Sequence, residues 1–108
     1  MKFFVGVGGY RLDMRHCNSL KDKRQLVRRI TDRLARGTGM AAAEVGEIDY
    51  WKSCTMAVTC VSSSYNLLQS SLDEARKKIE SLGVDVIEQQ RSVFNPEDWI
   101  GSETCQGE

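Results

Sequence analysis

The sequence predicts an α+β domain of the ferredoxin-like kind, a four-stranded antiparallel sheet with two helices on one face. Three observations predict it. Apolar and polar residues alternate with the period of a strand in residues 10–15, and residues 52–62 form an apolar strand pattern. Two other stretches carry apolar residues at helical spacing. Ordered along the chain, the elements read strand, helix, strand, strand, helix, strand. Two helices with narrow apolar stripes cover one face of such a sheet, and right-handed crossovers fix the arrangement.

Residues 3–15 read as the first strand. Tyr10, Leu12 and Met14 fall on one face and Arg11, Asp13 and Arg15 on the other. Phe3, Val5 and Val7 have the opposite parity and fall with Arg11 and Asp13. Two explanations are open. A bulge near Gly8-Gly9 shifts the register, which flips every following side chain. Alternatively, the free face of the sheet carries an apolar patch at this end.

Ser19 is a good helix N-cap, with Asp22 three residues on. Leu20, Lys23 (through its stem), Leu26-Val27, Ile30 and Leu34 then recur at helical spacing. Gly37 is expected to stop the helix, with Gly39 continuing the turn. Residues 41–47 form a short strand, and residues 52–62 a central one with both faces fairly apolar. Ser62-Ser63-Ser64 opens a second helix whose stripe is Leu68, Leu72, Ala75, Ile79 and Leu82, ended by Gly83. Residues 84–94 make the last strand, and Asn95-Pro96 breaks it. The domain is therefore 1–95. Residues 96–108 form an acidic tail expected to be mostly loose, with docking of Trp99 on the domain left open.

A chain of 108 residues can bury one core. With 41% apolar and 28% charged residues it is an ordinary globular composition. No apolar run approaches the roughly 18 residues of a membrane span. The Met1–Val7 run is ended by Gly8-Gly9-Tyr10-Arg11 without a cleavage site, so the protein is expected to be cytoplasmic. Cys17, Cys54, Cys60 and Cys105 lack metal or disulfide spacing and read as small hydrophobes. His16 is the one histidine and reads as a loop residue, so no metal site and no cofactor are expected.

The net charge is zero, but its distribution is uneven. Residues 1–40 hold ten lysines and arginines against three acids; residues 41–108 hold five against twelve. The cations concentrate on the first helix, at Lys21, Lys23, Arg24, Arg28, Arg29, Arg33 and Arg36. Such a face can lie against phosphates and give salt-sensitive, sequence-independent binding; the alternative is a solvated helix with Asp32 and partner acids nearby. Catalytic motifs are missing. Gly6-Val7-Gly8-Gly9 lacks the phosphate-loop pattern. Val7–Arg11 is similar to the acylphosphatase loop, but Arg11 falls mid-strand, about eight residues ahead of Ser19, and fold likeness alone does not license an activity. Residues 52–62 also lack the stacking aromatics of an RRM-type RNA binder.

Ser19-Leu20-Lys21-Asp22-Lys23-Arg24 resembles the S-L-K-[DE]-K-R signature of the YlxP-like family, a bacterial domain of unknown function. Ala43–Gly46 is similar to its second-strand motif. Asp49–Lys52 is similar to its D-L-W-Q turn, with Tyr50 and Lys52 as variations. Val61-Ser62 and Leu72-Asp73 match the start and middle of its second helix, so the resemblance spans residues 4–94. It implies a ferredoxin-like fold and no established reaction. Members are often encoded near translation and ribosome-maturation genes, which implies an RNA or ribosome association. The departures are Gly8-Gly9 and the tail after Asn95.

The expected site lies between the first helix and the Asp49–Trp51 turn. Lys21, Lys23, Arg24 and Arg28 would contact phosphates, and Trp51 would stack or anchor. The competing expectation for Trp51 is that it closes the core end, and for Glu44 and Asp49 that they pair with the basic helix or cap the turn. The expected function is a non-enzymatic, RNA- or ribosome-associated module. The alternative is a homodimer or protein-interaction domain using Phe3, Val5, Val7, Ala57 and Val61 on the open sheet face.

Overall fold

A computed structural model describes residues 2–97. Strand β1 (Phe4–Asp13) leads into helix α1 (Leu20–Thr38), then β2 (Ala41–Gly46), β3 (Ser53–Ser62), α2 (Tyr65–Glu80) and β4 (Asp85–Phe94). The strands pair antiparallel in the order β2-β3-β1-β4. This is the ferredoxin-like arrangement, with both helices on one face. The tail expectation for Trp99, and Cys105, lie outside the described residues.

The core lies between sheet and helices. Tyr10, Leu12 and Met14 from β1 and its end meet Met56 and Val58 from β3. Ile30 and Leu34 from α1, and Leu68, Leu72, Ala75 and Ile79 from α2, close it from the helix side. Tyr10 is fully buried, and its hydroxyl donates to the Leu72 carbonyl at 3.1 Å, which satisfies the one polar atom it takes inside.

The parity conflict in β1 has a definite answer. Pairing of β1 with β3 runs unbroken from Phe4↔Ser62 to Asp13↔Ser53, so β1 keeps one register throughout. The irregularity lies in β4: Gly9 faces Gln90 and Tyr10 faces Glu88, leaving Gln89 as the extra residue. Val5 and Val7 therefore point to the open face, and Gly6 and Gly8 take the helix-facing positions. The reason is space. A Cβ on Gly6 would lie 2.4 Å from Leu68 Cδ2, and one on Gly8 would lie 3.0 Å from the Tyr10 hydroxyl oxygen. Helix α2 and the Tyr10 ring occupy the room that side chains would need.

Helix α1 does not stop at Gly37. It runs to Thr38, and Gly39 closes it at φ 71°, its N–H reaching the Ala35 carbonyl at 3.3 Å. A glycine inside a helix costs only about 1 kcal/mol, and only one residue has to adopt the left-handed cap. Likewise α2 ends at Glu80, with Gly83 at φ 83° in the following turn.

Candidate nucleic-acid interface

The N-terminus of α1 is built by reciprocal capping. Ser19 Oγ accepts from the Asp22 N–H at 3.1 Å, and the Asp22 carboxylate accepts from the Asn18 N–H at 3.1 Å. An aspartate here does the work that a capping box usually gives to glutamate or glutamine. The apolar stripe then turns Leu26, Ile30 and Leu34 inward. This leaves Lys21, Arg24, Arg28, Arg29, Arg33 and Arg36 exposed on the outer side. None of the six takes part in an ion pair among the described residues. Over fifteen residues the row runs about 22 Å along the axis. Arg29, Arg33 and Arg36 extend it well beyond the Lys21–Arg28 segment on which the expected site rests.

Lys23 does not belong to this row, which corrects the expectation that it contacts phosphate. It is 0% exposed. Its ammonium pairs with the Glu44 carboxylate at 2.7 Å and donates to the backbone carbonyls of Glu47 and Tyr50. The ammonium thus spends two donors on carbonyls and sets its charge against a carboxylate, all inside the protein. The cause is helical position: Lys23 falls on the stripe with Leu26 and Ile30, so its stem packs inward and its head finds strand β2. It ties α1 to the β2–β3 loop.

That loop is held from several sides. The Tyr50 N–H reaches the Glu47 carbonyl at 3.1 Å, and Glu47 Oε1 accepts from the Thr55 hydroxyl at 2.7 Å. Glu47 adopts φ 56°, a left-handed conformation seldom used by a non-glycine residue. Trp51 is half-buried and packs against the core, with the Lys52 ammonium 5.3 Å above its ring. It packs on the core rather than standing free beside the α1 cations, and within this loop the exposed aromatic ring is that of Tyr50.

Among the described residues the thiols are not activated. Cys17 and Cys54 are buried, and burial pushes the Cys54 thiol up to about 12. Cys60 is half-buried and its thiol is also raised by burial. Among the described residues no three His, Cys, Asp or Glu side chains gather to hold a metal ion. Among the same residues no helix is long and apolar enough to cross a membrane.

Residues 5–91 match the family described as protein of unknown function (DUF503). The chain belongs to that family. The matched span takes in the whole of α1, the Lys23 network and the β2–β3 loop, so these are parts of the DUF503 domain proper. No curated protein matches the sequence. Among solved structures the DUF503 domain is similar to a protein described as a chlorite dismutase, at 13% identity and TM-score 0.54, covering 94% of this chain and 47% of that one. It is also similar to a C-terminal segment of the alpha subunit of aIF2 from Pyrococcus abyssi, at 10% identity and TM-score 0.52, covering 82% and 50%. The DUF503 domain spans about half the length of each of these chains. A de novo designed protein, Foldit4, matches at 13% identity and TM-score 0.50, covering 84% of this chain and 96% of its own. At such identities the likeness is one of fold alone.

The structure brings Lys21, Arg24 and Arg28 together on one outer face, and sends Lys23 and Trp51 inward. Sequence reasoning allowed Glu44 to pair with the basic helix but did not single out Lys23 as its partner, nor the Glu47 and Tyr50 carbonyls. Glu44 lies twenty-one residues away on another element, so no local pattern announces the pair. The signal within reach was the stripe itself, which already placed Lys23 between Leu20 and Leu26.

Proposed function

We propose that this DUF503 domain is a non-catalytic, RNA-associated module that binds phosphates along the outer face of α1. Ribosomal particles are the first structured RNA to test. One observation carries the reading: six exposed cations share this face and none makes an ion pair among the described residues. Arg24 with Arg28 and Arg29 with Arg33 are like charges at i,i+4, each costing the helix about 0.2–0.5 kcal/mol. Asp32, at i,i+4 to Arg28 and Arg36, offsets only part of this charge among the described residues, and a polyanion supplies the rest. The YlxP-like resemblance of Ser19–Arg24 supports the same reading.

The test is binding to structured RNA across a salt series. Affinity is expected to fall by about a hundredfold or more between about 50 and 200 mM salt. Replacing Arg28, Arg29 and Arg33 together by alanine should flatten the salt slope by about two to three units. Binding without a salt slope, or none at all, defeats the proposal.

A second reading rests on a different observation. Val5, Val7, Ala57 and Val61 share the open sheet face, and Val61 is 67% exposed. A second copy docked there would cover them. Sedimentation of the wild type against Val5→Asp decides it: a wild-type monomer at high protein concentration excludes self-association.

A further inference from the structure

A cleft of about 460 Å³ opens at the other end of that free sheet face, away from Val5 and Val61. Arg11, Tyr50, Lys52, Ser53, Asp85 and Ile87 line it. Its chemistry changes from one side to the other. Arg11 is held only by long contacts, 3.4 Å to Ser53 Oγ and 3.8 Å to Glu47 Oε1, so its guanidinium keeps donors to spare. Lys52 lines the same cleft as a second cation, its ammonium 5.3 Å over the Trp51 ring. Tyr50 and Ile87 give exposed apolar walls, 51% and 63% accessible. On the far side Asp13 faces Asp85 across β1 and β4. Asp13 is neutralised by Arg15, whose guanidinium lies 2.6 Å away. The Asp85 side chain makes no hydrogen bond and no ion pair among the described residues; the Arg15 guanidinium, which also lines the cleft, acts on it only through space, so its oxygens keep acceptor positions open.

The geometry points to a cleft for a nucleotide. The phosphate would meet Arg11 and Lys52, the base would lie on the Tyr50 ring, and ribose hydroxyls or an exocyclic amine would donate to Asp85. A bare anion would leave the apolar walls unused and would feel the repulsion of Asp85. A purely apolar ligand would desolvate Arg11 and Asp85 for no return. Only a ligand with an anionic group, a flat body and hydrogen-bond donors uses all three. The wall is already in place before any ligand arrives, because Lys23 holds the Tyr50 carbonyl and Glu47 holds its N–H. Lys23 thus acts here as a positioning residue. The cleft lies on the sheet's free face and α1 on the opposite layer, so this inference is independent of the α1 reading.

The experiment follows backbone amide shifts of the full chain by NMR during titration with adenosine 5′-monophosphate, inorganic phosphate and a short oligoadenylate. The monophosphate is expected to move the amides of Arg11, Ser53 and Ile87 together with the Tyr50 loop. Tyr50→Ala should weaken that binding roughly tenfold, the size of one lost stacking contact. Arg11→Gln and Ile87→Ser, on separate strands, should each weaken it several-fold, while Lys77→Ala on α2 leaves it unchanged. Oligoadenylate binding much tighter than the monophosphate through the same amides identifies an RNA strand as the source. Equal binding identifies a free nucleotide. Amides unmoved by the monophosphate overturn the proposal, as does inorganic phosphate binding as tightly as the nucleotide. The salt slope with structured RNA reads α1 separately, so either proposal can fail while the other stands.

Discussion

Lys21 and Lys23 stand two residues apart on one helix and have opposite fates. Lys21 is exposed with no ion-pair partner among the described residues; Lys23 is sealed inside with a carboxylate and two carbonyls. Residue type does not separate them, and neither does local charge. A rotation of about 200° around the helix axis does. The outer cations are therefore a surface available to a partner, and the inner one is a strut between α1, β2 and the β2–β3 loop. A motif containing both lysines mixes a binding feature with a folding feature, and stability measurements can pull them apart.

The largest effect is expected at Lys23. Lys23→Ala leaves the Glu44 carboxylate buried without its partner and two carbonyls without a donor. Breaking a pair in this way costs about 3–5 kcal/mol. For a domain of this size that lowers the melting temperature by more than about 10 °C in thermal denaturation. The double variant K23M/E44L removes both charges and is expected to recover at least half of the loss, since apolar replacements of buried pairs are often near neutral. If Lys23→Ala melts with the wild type, the strut does not exist and Lys23 rejoins the outer row.

Much of this was readable beforehand, and the parts that were not have a common cause. The order of elements, the Ser19 cap and the α2 stripe of Leu68, Leu72, Ala75 and Ile79 follow from signals within a few residues of one another. The facing of Val5 and Val7 does not. It depends on whether an irregularity falls in β1 or in its neighbour, and the extra residue proves to be Gln89, some eighty positions away. The role of Gly6 depends in the same way on Leu68. The cleft draws on β1, β3, β4 and a loop, and its arginine and aspartates look like ordinary outward residues of alternating strands. What was legible is local. What was hidden required knowing which strand pairs with which, and where.

The next effect is smaller and depends on pH. Cys54 faces the same side of the sheet as Glu44 and Lys23 and is fully buried. Burial, with the nearby Glu44 carboxylate adding to it, raises its thiol from 9.0 to about 12. In the unfolded chain the thiol ionises near 9, whereas in the fold it stays protonated. Its contribution is therefore complete below pH 9 and is lost as the pH rises from 9 towards 12. By pH 10 the loss is about 1.4 kcal/mol. Urea unfolding of wild type and Cys54→Ala at about pH 8 and pH 10 isolates it. The wild type's advantage over the variant should shrink by about 1 kcal/mol between the two. An unchanged advantage would mean that the thiolate is tolerated inside, and that the region around Lys23 is wetter than its burial implies.

The smallest effect on stability is expected on the outer face, and its smallness is what gives the comparison its meaning. Arg28, Arg29 and Arg33 make no ion pair among the described residues, so replacing all three by alanine breaks none of those. It relieves the Arg24–Arg28 and Arg29–Arg33 repulsions and puts the best helix former at three exposed positions. The urea midpoint should stay within about 0.5 kcal/mol of wild type or rise slightly, while RNA affinity falls. A loss above about 1 kcal/mol would show that these cations hold the fold after all. Loss of RNA binding in the triple variant could then be a consequence of misfolding, and the surface reading of α1 would have no support left.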